Sequence, residues 1–440
     1  MESKPCLYRA AAGVVSMALV ACGGDPRDAD KPAPSAVSTS ASAPALNDRE
    51  LYAPAAPLAA ATQAAAPFDV SAFASERARP AGATLQAISV YGKGASAQAP
   101  SQEVRVVLGF DAAAVFRRGE LAAADGLPRR VFLDLDDVRV ARALQTALSV
   151  GAGGLSRVRT FALDASTTRV SFDVEGDAVY RLFLLTNPYR VILDFKRVRA
   201  REPGKQAALR TIVLDPGHGG SKDGARGPTG LEESVVVLQL ARLVKHELQA
   251  RLPGTKVVLT RTSDATVSLE ERSAIANGLD ADLFVSLHLD ASPSAADRGG
   301  VSTYVLDTSD DKQALRLAAR ENDADEHDIT QLQKLFASLY RKDQLSKSLA
   351  LAEAIQSSTL KSARHILPEL PDRGVQKALF YVLVGASMPA VLCEASFITR
   401  PEEEAALATE AYRQALAEGI ADGIVRYVDK LARQRTAAAR

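Results

Sequence analysis

Tryptophan is absent from the 440 residues, cysteine occurs three times, and basic and acidic residues balance at 53 each. The charge balance excludes a field that would gather nucleic acid, so no nucleic-acid partner is expected. Only Cys393 lies in the body of the chain, while Cys6 and Cys22 flank an N-terminal apolar stretch, which excludes a disulfide framework. Without tryptophan, any stacking against a sugar ring has to use Tyr or Phe. The N-terminal apolar run, in "MESKPCLYRAAAGVVSMALVAC", follows Lys4 and Arg9 and extends for about a dozen residues, which is signal-peptide length and too short to span a bilayer.

That segment closes in Leu19-Val20-Ala21-Cys22, which resembles a bacterial lipobox. The resemblance implies removal of residues 1–21 and lipidation of Cys22 as the new N-terminus. With Gly23 rather than Asp following, it also implies an anchor in the outer membrane, facing the periplasm. Residues 22–82 are dominated by Ala, Pro, Ser and Asp without helical or strand period, the composition of a disordered tether.

From residue 83 the pattern turns to strands. "VRVVLGF" (104–110) and "TRVSFDV" (168–174) alternate apolar and polar, as half-buried antiparallel strands do. "RVFLDLDDV" (130–138) and "RVILDFKRV" (190–198) repeat one pattern sixty residues apart, and two such halves packed face to face make a small all-β sandwich. Residues 83–198 resemble the AMIN domain, a module that targets peptidoglycan; a plain β-spacer is the alternative.

After a linker at 199–209, strand-like and helical runs alternate from 210 to about 431, which argues for an α/β domain with a mostly parallel sheet covered by helices on both faces. Ligands of such sheets bind beyond the carboxyl ends of the strands. Histidine is scarce in this chain, yet His218 follows "TIVLDPG" and His288 closes "DLFVSLH", both at strand ends. Glu233 opens the next helix, in "GLEESVVV", at the same edge. Two imidazoles and one carboxylate are the ligand set of a catalytic zinc site, whose fourth position stays open for water. Glu394 ends the apolar strand "AVLCE", where a buried carboxylate is costly unless chemistry requires it; it is the expected general base. Glu232 falls on another face of its helix, His246 on a polar face, His365 in a loop near the cleft, and Cys393 on the opposite side of its strand from Glu394.

The stretches "VLDPGHGG", "GLEESVVVLQLA", "ADLFVSLHLDAS", "RGVQKALFYVLVGASMPAVLCEASFI" and "TRPEEEAAL" together resemble the zinc-dependent N-acetylmuramoyl-L-alanine amidases. The resemblance implies zinc on His218, Glu233 and His288, catalysis by Glu394, and cleavage of the amide between N-acetylmuramic acid and L-alanine of the peptidoglycan stem. Residues 308–348 form a polar, helically periodic insertion. In the cell-division members such an insertion covers the zinc until an activator, of the LytM type, withdraws it. The resemblance of "ARENDAD" to that plug makes Glu321 the candidate blocking carboxylate, with a plain surface helix as the alternative. Two other readings of the whole chain remain open at this stage: zinc hydrolysis of another wall amide, by a peptidase or deacetylase, and a non-catalytic wall-binding scaffold.

Overall fold

The computed structural model describes residues 82–92, 102–124, 126–186, 188–197, 209–292, 294, 297–327, 329 and 342–438. The signal segment, Cys22, the tether to residue 81, nearly all of the linker, and residues 328 and 330–341 of the insertion lie outside the described residues.

The first part of the described chain is all β. Its strands are β1 (Thr84–Tyr91), β2 (Glu103–Phe110), β3 (Val115–Leu121), β4 (Arg129–Asp136), β5 (Arg139–Val140), β6 (Ala147–Ala152), β7 (Leu155–Ala162), β8 (Thr167–Val174), β9 (Val179–Thr186) and β10 (Tyr189–Lys196). They form two sheets, ordered β5-β1-β2-β10-β9 and β3-β4-β8-β7-β6. Alternation puts Val104, Val106, Leu108 and Phe110 of β2 and Val170, Phe172 and Val174 of β8 into one shared core between the sheets. The repeated motif supplies β4 to one sheet and β10 to the other, so the sandwich is built from two related halves.

The second part carries β11 (Thr211–Pro216), α1 (Glu233–Arg251), β12 (Lys256–Leu259), α2 (Leu269–Gly278), β13 (Leu283–Asp290), β14 (Val301–Leu306), α3 (Lys312–Glu321), α4 (Lys342–Ala363), β15 (Asp372–Ala378), β16 (Ala390–Phe397), α5 (Pro401–Leu407) and α6 (Glu410–Ala438). The sheet order is β12-β11-β13-β16-β14-β15, and every neighbouring pair is parallel except β14 against β16. Its central strands are near-continuous apolar runs because helices cover both faces. One face packs Ile212, Leu214, Val285, Leu287, Val391 and Cys393 against α1, α4 and α6. The other packs Val213, Phe284, Leu392 and Tyr304 against α2, α3 and the segment 379–388.

That second face also receives the β-domain. Val107 and Ile192, on the outer face of the β1–β2–β10–β9 sheet, join the same apolar cluster as Phe380, Tyr381 and Leu383. Besides the linker at 199–209, the two domains are thus joined by a packed contact.

Candidate active site

Parallel strands end at one edge, and β11, β13 and β16 deliver His218, His288 and Glu394 there. In register, His288 stands beside Glu394 on the neighbouring strand. Both side chains point toward the α2–α3 face, while Cys393 points the other way into the α1 core. Helix α1 begins at the same edge, and its buried first residue, Glu233, reaches in.

The turn "DPGHGG" is held in an unusual shape. His218 has φ +54°, left-handed backbone that non-glycine residues adopt at a cost and keep only when the surroundings impose it. Here they do. Arg261 donates to the carbonyls of Pro216 (3.0 Å) and Gly217 (2.7 Å), and Arg272 to those of Pro216 (2.7 Å) and His218 (2.7 Å). Asp215 accepts from Arg272 at 2.8 Å and from Ser286 at 2.8 Å. Gly217 is required by space, since a Cβ there would lie 2.4 Å from the His288 ring.

Against this turn the two imidazoles pack edge to face, with ring centroids 4.8 Å apart. Glu233 Oε1 stands 3.1 Å from both His218 Nε2 and His288 Nδ1, and its carboxylate is fixed by the amides of Ala225 (2.7 Å) and Leu289 (3.0 Å). A fourth group, Glu321 at the end of α3, places Oε2 3.2 Å from His218 Nε2 and 3.1 Å from His288 Nδ1. Glu321 is itself held by Arg320, which donates to Glu321 Oε1 (2.9 Å) and to the carbonyl of Ala291 (2.7 Å). Asn322 locks the helix end, donating to Leu379 O (2.6 Å) and accepting from Tyr381 N (2.8 Å).

The charges explain one another. Burial would lower the His218 imidazole, but the Glu233 and Glu321 carboxylates override it and push it up to about 10. Burial would raise Glu233, and the imidazoles bring it down to about 2. Glu394 goes the opposite way: burial, then Asp290, Glu321 and Glu233, push it well above the usual carboxylate range. Carboxylate oxygens this close to imidazole nitrogens require positive charge between them, either protons or a cation.

The donor set fits a cation. His218, Glu233 and His288 offer ligand atoms within 4.8 Å of one another, as do His288, Glu321 and Glu394. Ligands ~2.1 Å from a tetrahedral ion stand ~3.4 Å apart, close to the separations found here. His218 Nε2, Glu321 Oε2 and both oxygens of Glu394 are buried with no hydrogen-bond partner among the described residues, which natural structures seldom leave unexplained.

Of the residues singled out from sequence, His218, Glu233, His288, Glu394 and Glu321 converge. Glu232 instead stands just before α1 without a capping hydrogen bond from its side chain, and pairs with Arg226 at 2.7 Å. His246 and His365 are exposed. Sequence reasoning missed Asp215, Arg261 and Arg272, and it left "PEEE" unexplained. Glu404 accepts from Thr229 N, Thr229 Oγ1 and Leu231 N, bracing the loop before Glu233, and Glu403 accepts from Gly300 N, Ser396 Oγ and Phe397 N. Several charged residues inside quoted apolar stretches were the available signal.

Comparison with known proteins decides the family. The sequence profile described as N-acetylmuramoyl-L-alanine amidase matches residues 212–426, and that of the AMIN domain matches 96–183. N-acetylmuramoyl-L-alanine amidase AmiA of Escherichia coli K12 is 39% identical over 234 residues, 51% of this chain and 78% of that protein. The chain belongs to the N-acetylmuramoyl-L-alanine amidases. AmiC of Escherichia coli O6:H1 is 28% identical over 350 residues, covering 68% of this amidase and 81% of AmiC. A solved N-acetylmuramoyl-L-alanine amidase from Clostridium difficile 630 aligns at 29% identity over 51% of this chain and 98% of its own, with TM-score 0.40. The AMIN match lies within the larger span of strands from Thr84 to Lys196.

Proposed function

We propose that this amidase hydrolyses the amide joining N-acetylmuramic acid to L-alanine in peptidoglycan with a zinc ion held by His218, Glu233 and His288 and with Glu394 as general base. The observation that carries the reading is the convergence of two imidazoles, one carboxylate and a separate, unpartnered buried carboxylate at a single sheet edge. A bound zinc supplies Lewis acidity and brings a water within reach of deprotonation near pH 7. Glu394 takes the proton from the attacking water and returns it to the alanine nitrogen as the C–N bond breaks, leaving a lactyl carboxylate and a free amine. Glu233 orients the imidazoles, and the Arg261–Arg272 clamp holds the His218 turn.

Glu321 is the lock in this reading. It occupies the place beside both imidazoles that a substrate carbonyl and water need, and its support by Arg320 and Asn322 favours a plug over a surface excursion. Activation then requires withdrawal of α3, the work of a protein activator of the LytM type. The AMIN-type domain directs the enzyme to peptidoglycan. We place its action in the periplasm, during wall remodelling and daughter-cell separation, and the sequence Leu19–Cys22 supports a lipid anchor on Cys22 in the outer membrane.

The deciding experiment digests purified sacculi with the chain carrying Glu321→Ala, with and without chelator. Peptides released with free N-terminal L-alanine, absent with chelator, carry the proposal. Release of other fragments, or none in any condition, rejects it.

A further inference from the structure

Away from the imidazoles, the catalytic edge of the sheet carries a second, open pocket. Strand β14 runs antiparallel to β16, so β14 and its parallel neighbour β15 begin at the edge where β11, β13 and β16 end. There Arg298, Arg364, Arg373, Glu369 and Asp372 line a pocket of about 450 Å³. None of the proposed zinc ligands reaches it, so the metal site does not account for its charges.

The walls of this pocket are fixed. Val301 donates its amide to Pro371 O (3.1 Å), and Gly300 donates its amide to Glu403 (2.9 Å). Gly300 has φ +108°, and a Cβ on it would lie 2.3 Å from Pro371 O, so the turn before β14 is pressed against the loop before β15. Arg364 spans that loop, donating to Leu370 O through Nε (3.0 Å) and Nη2 (2.8 Å), and Arg373 donates to Asp297 at 2.8 Å. Against this frame stand groups with nothing to bind. Arg298 and Glu369 are exposed and have no hydrogen-bond or ion-pair partner among the described residues. Asp372 accepts from Gln356 (2.7 Å) and from Gly374 N (2.9 Å) through one oxygen, which leaves the other available.

Two rulers relate the pocket to the chemistry. Helix α3 begins at the pocket and ends at the imidazoles, since Gln313 accepts from Arg373 at 3.2 Å and Glu321 meets His288 at 3.1 Å. Between those two residues a helix rises about 12 Å. Across the sheet, Ser302 pairs with Glu394, and Val301 just before it pairs with Asp372, which puts the pocket two strand spacings, or about 10 Å, from the proposed base. An extended peptide advances about 3.3 Å per residue, so the third residue of a stem peptide begins about 7 Å from the scissile amide and its side chain covers the remainder.

We propose that this pocket receives the side-chain end of the diamino acid at the third stem position, where that end carries both a carboxylate and an ammonium. Arg298 and Arg364 take the carboxylate, and Glu369 and Asp372 take the ammonium. The inference deepens the amidase reading above, on which it rests, by naming the stem that the enzyme selects. A purely anionic ligand would be repelled by Glu369 and Asp372, and a lone ammonium would meet the guanidinium groups; a zwitterionic end satisfies both signs.

The test uses the full chain carrying Glu321→Ala and three soluble disaccharide-tripeptides, with meso-diaminopimelate, its side-chain amide or lysine at the third position. Release of free L-alanine termini gives kcat and KM, and calorimetry gives the binding of the three free tripeptides. The diaminopimelate stem is expected to lead the other two roughly tenfold in kcat/KM, through KM, with the same order in binding. Arg298→Glu and, separately, Glu369→Lys should remove most of that preference with thermal melting unaltered. Equal kcat/KM for the three stems overturns the proposal, as does a preference that survives both charge reversals. A parent that cleaves none of the three rejects the amidase reading and this inference with it, a result distinct from equal rates.

Discussion

Glu321 Oε2 lies 3.1 Å from His288 Nδ1, as close as the proposed ligand Glu233 lies to the same atom. Two carboxylates from different helices thus compete for one imidazole. Glu321 comes from α3, a ten-residue helix that packs Ala314, Leu317, Ala318 and Ala319 into the core and whose end is held by Arg320 and Asn322.

Removal of that competitor should activate the enzyme. Glu321→Ala is expected to raise the hydrolysis rate of sacculi by the full chain at least tenfold, measured as release of free L-alanine termini. An unchanged rate would reduce α3 to a structural helix.

Glu394→Gln should behave differently from loss of a ligand. The substitution preserves volume and removes the base, so kcat should fall by roughly 10²–10⁴ while metal content after dialysis stays that of the parent. A fall in both together would place Glu394 among the ligands instead.

Zinc dependence has its own signature. Exhaustive chelation should abolish activity and restoration of zinc should recover it, whereas His288→Ala should bind zinc too weakly to survive dialysis. Full activity in chelator would reject a metal mechanism.

The arginine clamp predicts a second effect on metal. Arg272→Ala leaves Asp215 buried without its cation and frees the carbonyl of His218, so a loss of about 3–5 kcal/mol in stability is expected. In the protein that remains folded, zinc affinity measured by chelator competition should be ~10–100-fold weaker. Lower stability with unaltered affinity would mean that the clamp serves the fold alone.

Asp215 also sets an acid limit. Burial would raise its carboxyl, but Arg272 and the hydroxyls of Thr260 and Ser286 override this and hold it below its usual value. A folded value below the unfolded one gives stability that is complete above about pH 4 and lost as pH falls through the folded value. Asp215→Asn should therefore melt lower at pH 7 and show a flatter decline below pH 4; parallel curves would count against this role.

The strand-end positions of His218, His288 and Glu394 were legible because a parallel sheet aligns its carboxyl ends, so a polar residue closing an apolar run is informative before any coordinates exist. Glu233 was legible from its helix start. The repeated Arg-Val-x-Leu-Asp motif foretold a sandwich of two halves. Arg272 was not legible: one guanidinium in an ordinary helical period carries no mark of the backbone carbonyls that it will meet 54 to 56 residues earlier in the chain. Glu403 and Glu404 were hidden in the same way, since an acid near a helix start is ordinary and only the fold brings loop amides to it.

What the sequence by itself determined was the pattern: which runs become strands, which of their ends carry imidazole or carboxylate, and that the β-domain is built twice. Tertiary structure decided that Glu321, offered by the sequence only as a candidate beside a plain surface helix, enters the site, and that Arg105 and Asp194 of the β-domain pack against the catalytic domain. The physical reason is that periodicity is a local property of the chain, whereas the partner of a side chain depends on contacts between segments far apart in sequence, which no local pattern encodes.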